Sequence, residues 1–151
     1  MKFTFLCNFH RQKLEARAEH AVRFWQDGFD TAQFYIEQRL WSEALSHAGC
    51  AFEIAEILMT KREIDYEVAC EWFYQSTILL ASTLFRLNGV ADAAEIMRLA
   101  TQRFERELSQ LFVDRNLILK HLSQLHCSSH LFGFDQMGTS YVGKSSDLSL
   151  H

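Results

Sequence analysis

The chain has 151 residues, of which 48% are hydrophobic and 23% are charged, a balance typical of one folded domain rather than of a disordered protein. Its formal net charge of −4 argues against a nucleic-acid-binding surface, because such a surface is normally basic. The long uncharged run from Trp72 to Phe85 is too short to span a membrane. No secretion signal is recognisable at the N-terminus, so we expect a cytoplasmic protein that makes no membrane contact and has reduced cysteines.

The first part of the chain predicts helices, since no proline occurs anywhere to interrupt them. Apolar residues at helical spacing predict a first helix over residues 10–26. Asp27 and Gly28 predict a break or a kink, after which a short helix is expected over residues 31–39. The sequence thus predicts two separate helical segments in this region.

The next predicted helix covers residues 42–60 and has Ser42 as its N-cap. Its apolar face includes three alanines, Ala44, Ala48 and Ala51. Since alanine lets a neighbouring backbone approach closely, these positions predict a tight contact with another helix.

Three further helices are predicted over residues 66–87, 91–112 and 114–127. The first of them is apolar nearly all round, so we expect it to be covered on most sides. Asn88 and Gly89 end it, because glycine favours the left-handed conformation that commonly closes a helix.

Together these patterns predict an all-α domain of antiparallel helix hairpins over residues 1–128. From there the composition shifts to serine and glycine, and we expect residues 129–151 to form a flexible, mobile tail. Two arrangements remain open for the domain. One is a repeat array of stacked hairpins, and the other is a generic helical bundle with up-down topology.

Two stretches of the chain carry a related pattern of small and aromatic residues. In residues 28–56, Ala32 and Ala44 occupy small positions of the tetratricopeptide pattern, and Tyr35 occupies an aromatic one. The stretch 78–106 matches at fewer positions, which are Ser82, Phe85, Gly89 and Ala94. The chain therefore resembles a degenerate tetratricopeptide-like helical hairpin repeat, although its copies are 50 rather than about 34 residues apart and no proline closes them.

Gly138 to Ser145, with the sequence GTSYVGKS, match the phosphate-binding expression G-x-x-x-x-G-K-[ST]. A working loop of this kind lies between a strand and a helix whose amide groups complete the anion site. Nothing before Gly138 is typical of a core strand, and only six residues follow Ser145. We interpret the match as accidental and predict no cofactor.

Histidine and cysteine pairs raise the question of a metal site. His47 and Cys50 are three residues apart on one predicted helix, and Cys7 and His10 have the same spacing. A further group lies near the end of the last predicted helix and comprises His121, His126, Cys127 and His130. Because no paired C-x2-C occurs and the pairs lie on separate elements, we predict no metal site. The histidines are expected at the surface, and Cys50 and Cys127 half-buried.

Three carboxylates lie inside the predicted helices, at Glu53, Glu56 and Glu71. We interpret them as solvated or capping charges, since a di-iron helical site would need a Glu-x-x-His motif that neither EIAE nor EWFY supplies. Neither G-x-S-x-G nor H-E-x-x-H occurs in the chain. We therefore predict no catalytic residue.

The chain has more large aromatic residues than one apolar stripe can bury, with 13 Phe, 4 Tyr and 3 Trp. In folds of stacked hairpins, the earlier helix of each hairpin lines a concave surface that holds a partner. The tetratricopeptide resemblance thus implies a partner-binding face that contains Phe34, Gln38, Tyr74 and Gln75. We predict an adaptor or chaperone-like protein that holds a partner peptide or helix in a groove between helix hairpins.

Two other classes of function stay open at this point. The first is a helical ligand-binding or metal-binding protein or an enzyme, which would use the histidine and cysteine residues or the tail. The second is a structural subunit that forms a homo-oligomer through an exposed helix face.

Overall fold

The computed structural model describes residues 4–132, and all regular secondary structure in that part of the chain is helical. The all-α class predicted from the sequence is therefore confirmed. Within this range no helix is both long and apolar enough to cross a membrane. Six helices follow one another, with the bounds α1 Asn8–Ala16, α2 Ala18–Glu37, α3 Trp41–Lys61, α4 Tyr66–Asn88, α5 Val90–Glu107 and α6 Arg115–Phe132.

Consecutive helices from α2 to α6 pack against each other as hairpins. Additional contacts join α2 to α4 and α4 to α6, so these three helices lie on one side of the array and α3 and α5 on the other. The predicted close contact of the alanine face is confirmed, because Ala44, Ala48 and Ala51 are fully buried. A small side chain at each position lets the backbone of α3 approach its neighbours.

A row of aromatic rings crosses the core from α3 to α6. Phe52 lies 5.1 Å from Phe73, Phe73 lies 5.3 Å from Phe104, and the ring of Phe104 stacks on His121 at 5.3 Å, all between ring centroids. Each of these four side chains comes from a different helix, so the row holds four helices together. Pairs of this kind stabilise a core by about 0.5–1.5 kcal/mol beyond the area they bury.

The predicted break at Asp27 and Gly28 is wrong, because α2 runs through both residues. Glycine in a helix interior costs only about 1 kcal/mol, and burial of Trp25 and Ala32 on either side offsets that cost. The chain changes direction earlier, at Arg17, whose backbone is extended (φ −143°). Residues 10–26 therefore belong to two helices rather than to one.

The turn between α2 and α3 contains no glycine, yet α2 ends with a residue in the left-handed conformation, which is usually glycine. Arg39 has a left-handed backbone (φ 59°), with its amide donating to the Ile36 carbonyl at 2.9 Å and the Leu40 amide to the Tyr35 carbonyl at 2.8 Å. Helix α3 then begins one residue early, with Leu40 at the N-cap position. The assignment of Ser42 as the N-cap is wrong.

The later helix ends agree with the sequence at one boundary and differ at others. Helix α4 ends at Asn88 as predicted, and Gly89 has φ 88°. Helix α5 ends at Glu107 rather than at residue 112. Helix α6 continues to Phe132 and so includes the first four residues of the segment 129–151 that the sequence assigns to a tail. Residues 133–151 lie outside the described part of the chain.

Candidate functional site

A groove of about 760 Å³ lies between α1, α2 and α3, and we call it the α1–α3 groove. Its apolar walls come from Leu6 and Leu14 on the N-terminal side, Phe24 on α2 and Ile54 on α3. A concave surface of this size with predominantly apolar walls is typical of a binding site.

The N-terminal wall of the groove is held in place by a buried carboxylate. The main-chain amides of Phe5 and Leu6 donate to Oε2 of Glu53 at 2.7 and 2.6 Å. A guanidinium nitrogen of Arg11 donates to Oε1 of the same carboxylate at 3.2 Å. We call residues 4–7 the N-terminal strap. Glu53 is only 5% exposed, so its interpretation as a solvated charge is wrong, and its role is to receive the strap.

The strap also fits a depression in α3. The ring of Phe5 occupies the position that a Cβ atom at Gly49 would take, so only glycine at this position leaves room for the ring. The thiol of Cys50 lies 3.8 Å from the carbonyl oxygen of Phe5. Burial raises the pKa of the Cys50 thiol, and the charge of Glu53 raises it further. The thiol is therefore the protonated donor of this contact.

Basic side chains outnumber acidic ones along the groove. Lys13 and Arg23 line it together with His10 and His20, whereas Asp27 is its one carboxylate in the described residues. Lys13 lies over the ring of Phe9, with 5.0 Å from Nζ to the ring centroid. Arg23 has no ion-pair partner within 4.0 Å among residues 4–130. The groove thus favours negatively charged groups, although the whole chain is acidic.

Two of the four predicted partner-binding residues lie on the face of α2 that borders the groove. Phe24, Asp27, Thr31, Phe34 and Gln38 recur at spacings of three and four residues, which places them on one stripe of a helix. The first three line the groove. Phe34 and Gln38 are exposed and extend the stripe beyond it toward the end of α2.

The other two predicted residues belong to a different surface. Trp72 stacks on Trp25 at 4.1 Å and so marks the face of α4 that meets α2. Tyr74 follows two residues later, about 200° around the helix, and its hydroxyl lies 3.0 Å from the hydroxyl of Ser128 on α6. Gln75 donates to Glu71 on its own helix at 3.2 Å. The structure therefore does not bring Tyr74 together with Phe34.

The histidine and cysteine residues are distributed among the groove, the core and the exposed surface. His10, His47 and Cys50 line the α1–α3 groove together. Within the described residues, no group of three or more His, Cys, Asp or Glu side chains has the arrangement to hold a metal ion. The predicted surface position is wrong for His121, which is fully buried, and the predicted half-burial is wrong for Cys127, which is exposed. The motif Gly138 to Ser145 lies outside the described residues.

The sequence analysis did not identify Gly49 and Glu53 as site residues. One signal was present, since Glu53 lies in the run AFEIAEILM, where its neighbours are apolar. A carboxylate within such a run needs a partner when it is buried. The Glu53 carboxylate accepts from the main chain at Leu6, 47 residues away, and no local sequence pattern indicates a contact over that distance.

Comparison with known proteins finds no matching family model, no similar curated protein and no similar solved structure.

Proposed function

We propose that the chain is a protein-interaction module, an adaptor or chaperone-like binder, that holds a partner peptide or helix in the α1–α3 groove. The observation that carries the proposal is an apolar groove continued by exposed aromatic side chains on one helix stripe. Phe24 and Phe34 are each 57% exposed and lie on the stripe of α2 that borders the groove. Exposed aromatic residues beside a concave apolar surface are typical anchors for a partner.

The charges of the groove indicate the chemistry of the partner. Lys13 and Arg23 stand on its walls, and Asp27 is the one carboxylate there in the described residues. A partner that carries carboxylates beside apolar side chains would complement both the walls and the cations. We propose an amphipathic segment with an acidic edge as the bound element.

The proposal is tested with two groove variants and one matched control. Phe24→Ser and Phe34→Ser each remove an exposed ring of the stripe. Phe112→Ser removes a ring that is 95% exposed in the turn between α5 and α6, away from the groove. The partner is isolated by affinity capture from the native host, and its affinity for each purified variant is then measured by calorimetry.

We expect the two groove variants to weaken binding of the purified partner by about 2 kcal/mol or more each, because aromatic anchors dominate such interfaces. The control should bind with the affinity of the unmodified chain, and all three variants should keep its melting temperature. Equal affinities for all three variants would contradict the proposed surface. A partner that proves to be a second copy of the chain would instead support the homo-oligomer class.

A further inference from the structure

A second cavity, of about 620 Å³, lies between the start of α4 and the middle of α6, and we call it the α4–α6 pocket. It shares no lining residue with the α1–α3 groove, so any role it has is independent of the proposed function. His121 and Gln124 of α6 and Glu71 of α4 line it.

His121 lies within the core at this pocket. Its side chain is fully buried, stacked on Phe104 at 5.3 Å with an angle of 5° between the ring planes, and 5.9 Å from the ring of Tyr74. Its Nε2 atom is 4.0 Å from Oε2 of Glu71, which is too far for a hydrogen bond. The ring is thus held by its aromatic neighbours, while both of its nitrogen atoms lack a hydrogen-bond partner among the described residues.

The described residues contain three buried side-chain nitrogen or oxygen atoms that lack a hydrogen-bond partner, and all three belong to this pocket. They are Nδ1 and Nε2 of His121 and Oε1 of Gln124. The Gln124 side chain lies near enough to His121 to raise its pKa through hydrogen bonding, yet no pair of their atoms meets both the distance and the angle of a formed hydrogen bond. Buried polar atoms are normally paired, so their convergence on one cavity indicates that a ligand completes them.

The charges around the pocket specify what that ligand must carry. Burial lowers the pKa of His121 against the raising effect of Glu71, so the neutral ring presents one nitrogen as an acceptor. Asp65, Glu67 and Glu71 line the pocket with one cation, Lys120. Acceptors and negative charge therefore predominate, and a ligand that donates hydrogen bonds and carries positive charge complements both.

We propose that the α4–α6 pocket binds an ammonium or guanidinium group. A metal ion is a poorer match, because no group of three or more metal-ligating side chains is arranged for one in the described residues. Two kinds of molecule carry such a cation. One is a free amine or guanidine, and the other is a peptide with a Lys or Arg side chain. In both cases one N–H group donates to His121 or Gln124 while the positive charge lies beside Glu71.

The test titrates methylguanidinium and n-butylammonium into the full chain and follows the ring signals of His121 by NMR, with N-methylurea as the uncharged control. Two variants remove parts of the pocket: Glu71→Gln keeps the shape and removes the charge, and His121→Phe removes the acceptor and keeps an aromatic ring. For His121→Phe, binding is followed through the Gln124 amide signals. Glu105→Gln removes an exposed carboxylate that does not line the pocket and is the matched control.

We expect saturable binding of at least one of the two cations and none of the urea, with affinity about tenfold or more weaker in Glu71→Gln and in His121→Phe. Glu105→Gln should bind as the unmodified chain does. An arginine-containing or lysine-containing peptide that binds about tenfold tighter than the free cation would assign the source to a side chain, and equal affinity would assign it to a free ligand. Absence of binding by either cation, or equal weakening in Glu105→Gln, would overturn the proposal. Circular dichroism confirms that the variants are folded.

Discussion

Glu53 and Glu107 are two carboxylates with the same burial, each 5% exposed, and they differ in what neutralises them. Glu107 of α5 accepts from side chains on three elements. These are Arg103 of its own helix at 2.6 Å, Arg62 of the α3–α4 turn at 3.0 Å, and the hydroxyl of Tyr66 on α4. All of its partners therefore lie on packed helices or on the turn between them.

Among the described residues, only one partner of Glu53 lies on a helix, which is α1. Its partners are two main-chain amides of the N-terminal strap and the half-exposed Arg11, all within the first eleven residues of the chain. If the strap detaches from α3, the Glu53 carboxylate loses these hydrogen bonds and becomes hydrated at the same time. One buried carboxylate therefore holds the packed helices of the domain together, whereas the other holds the N-terminal strap that forms a wall of the groove.

The Glu107 cluster gains further stability from the second partners of Arg103. That side chain donates to the hydroxyl of Thr60 at 2.9 Å and lies 3.3 Å from a carboxylate oxygen of Glu56. Burial raises the pKa of Glu107, but the hydrogen bonds from Arg103 and Tyr66 outweigh it and hold the pKa below its usual value. The carboxylate is therefore charged at neutral pH and fully paired.

The largest expected effect is on the Glu107 cluster. Glu107→Gln should lower the free energy of unfolding by about 3–5 kcal/mol, because it leaves the buried Arg103 without its main counter-charge. Glu19→Gln is the control, since Glu19 pairs with Arg17 at the exposed surface, where water screens the ion pair, and its loss should change stability far less. Urea denaturation measures both, and equal losses would contradict the assigned role of the cluster.

A smaller effect separates the Glu107 cluster from the buried histidine, because the two lose stability over different ranges of pH. The pKa of His121 is lowered in the folded protein, chiefly by burial, so the unfolded chain binds the proton more tightly. Stability should therefore fall as the pH drops below about 6.5, by no more than about 1.4 kcal/mol per pH unit. The contribution of Glu107, whose folded pKa is lowered, is lost only as the pH falls below about 4.5.

Denaturation curves of the unmodified chain and of His121→Phe between pH 7 and pH 5 test this prediction. The variant should lose less stability over that range than the unmodified chain. Equal slopes in the two proteins would show that His121 is not the group responsible.

Much of the fold is predictable from the sequence because the signals are local. Three local features predicted structure correctly. They are the absence of proline, which permits long helices, the alanine face of α3, and the Asn88-Gly89 pair that ends α4. The continuity of α2 through Gly28 is not local, since burial of residues on either side decides it.

The candidate site is less predictable, because it depends on which helix faces meet. Phe34 and Tyr74 were predicted to share one face, yet Phe34 is exposed on α2 beyond the groove and Tyr74 contacts α6. The burial of His121 depends on Phe104 from a separate helix. The contact of Glu53 with the strap joins residues 47 positions apart, beyond the range of any helical periodicity.

Hydrogen exchange at the amides of Phe5 and Leu6, in the full chain and in Glu53→Gln, tests most directly whether Glu53 holds the strap. We predict that both amides are protected in the unmodified chain and exchange about tenfold or more faster in the variant. The amides of α4 and α5 should keep most of their protection. Gly49→Ala, which displaces the ring of Phe5, should release the same two amides. Unprotected strap amides in the unmodified chain, or loss of protection throughout the domain in Glu53→Gln, would contradict the claim that Glu53 fastens a separable wall of the groove.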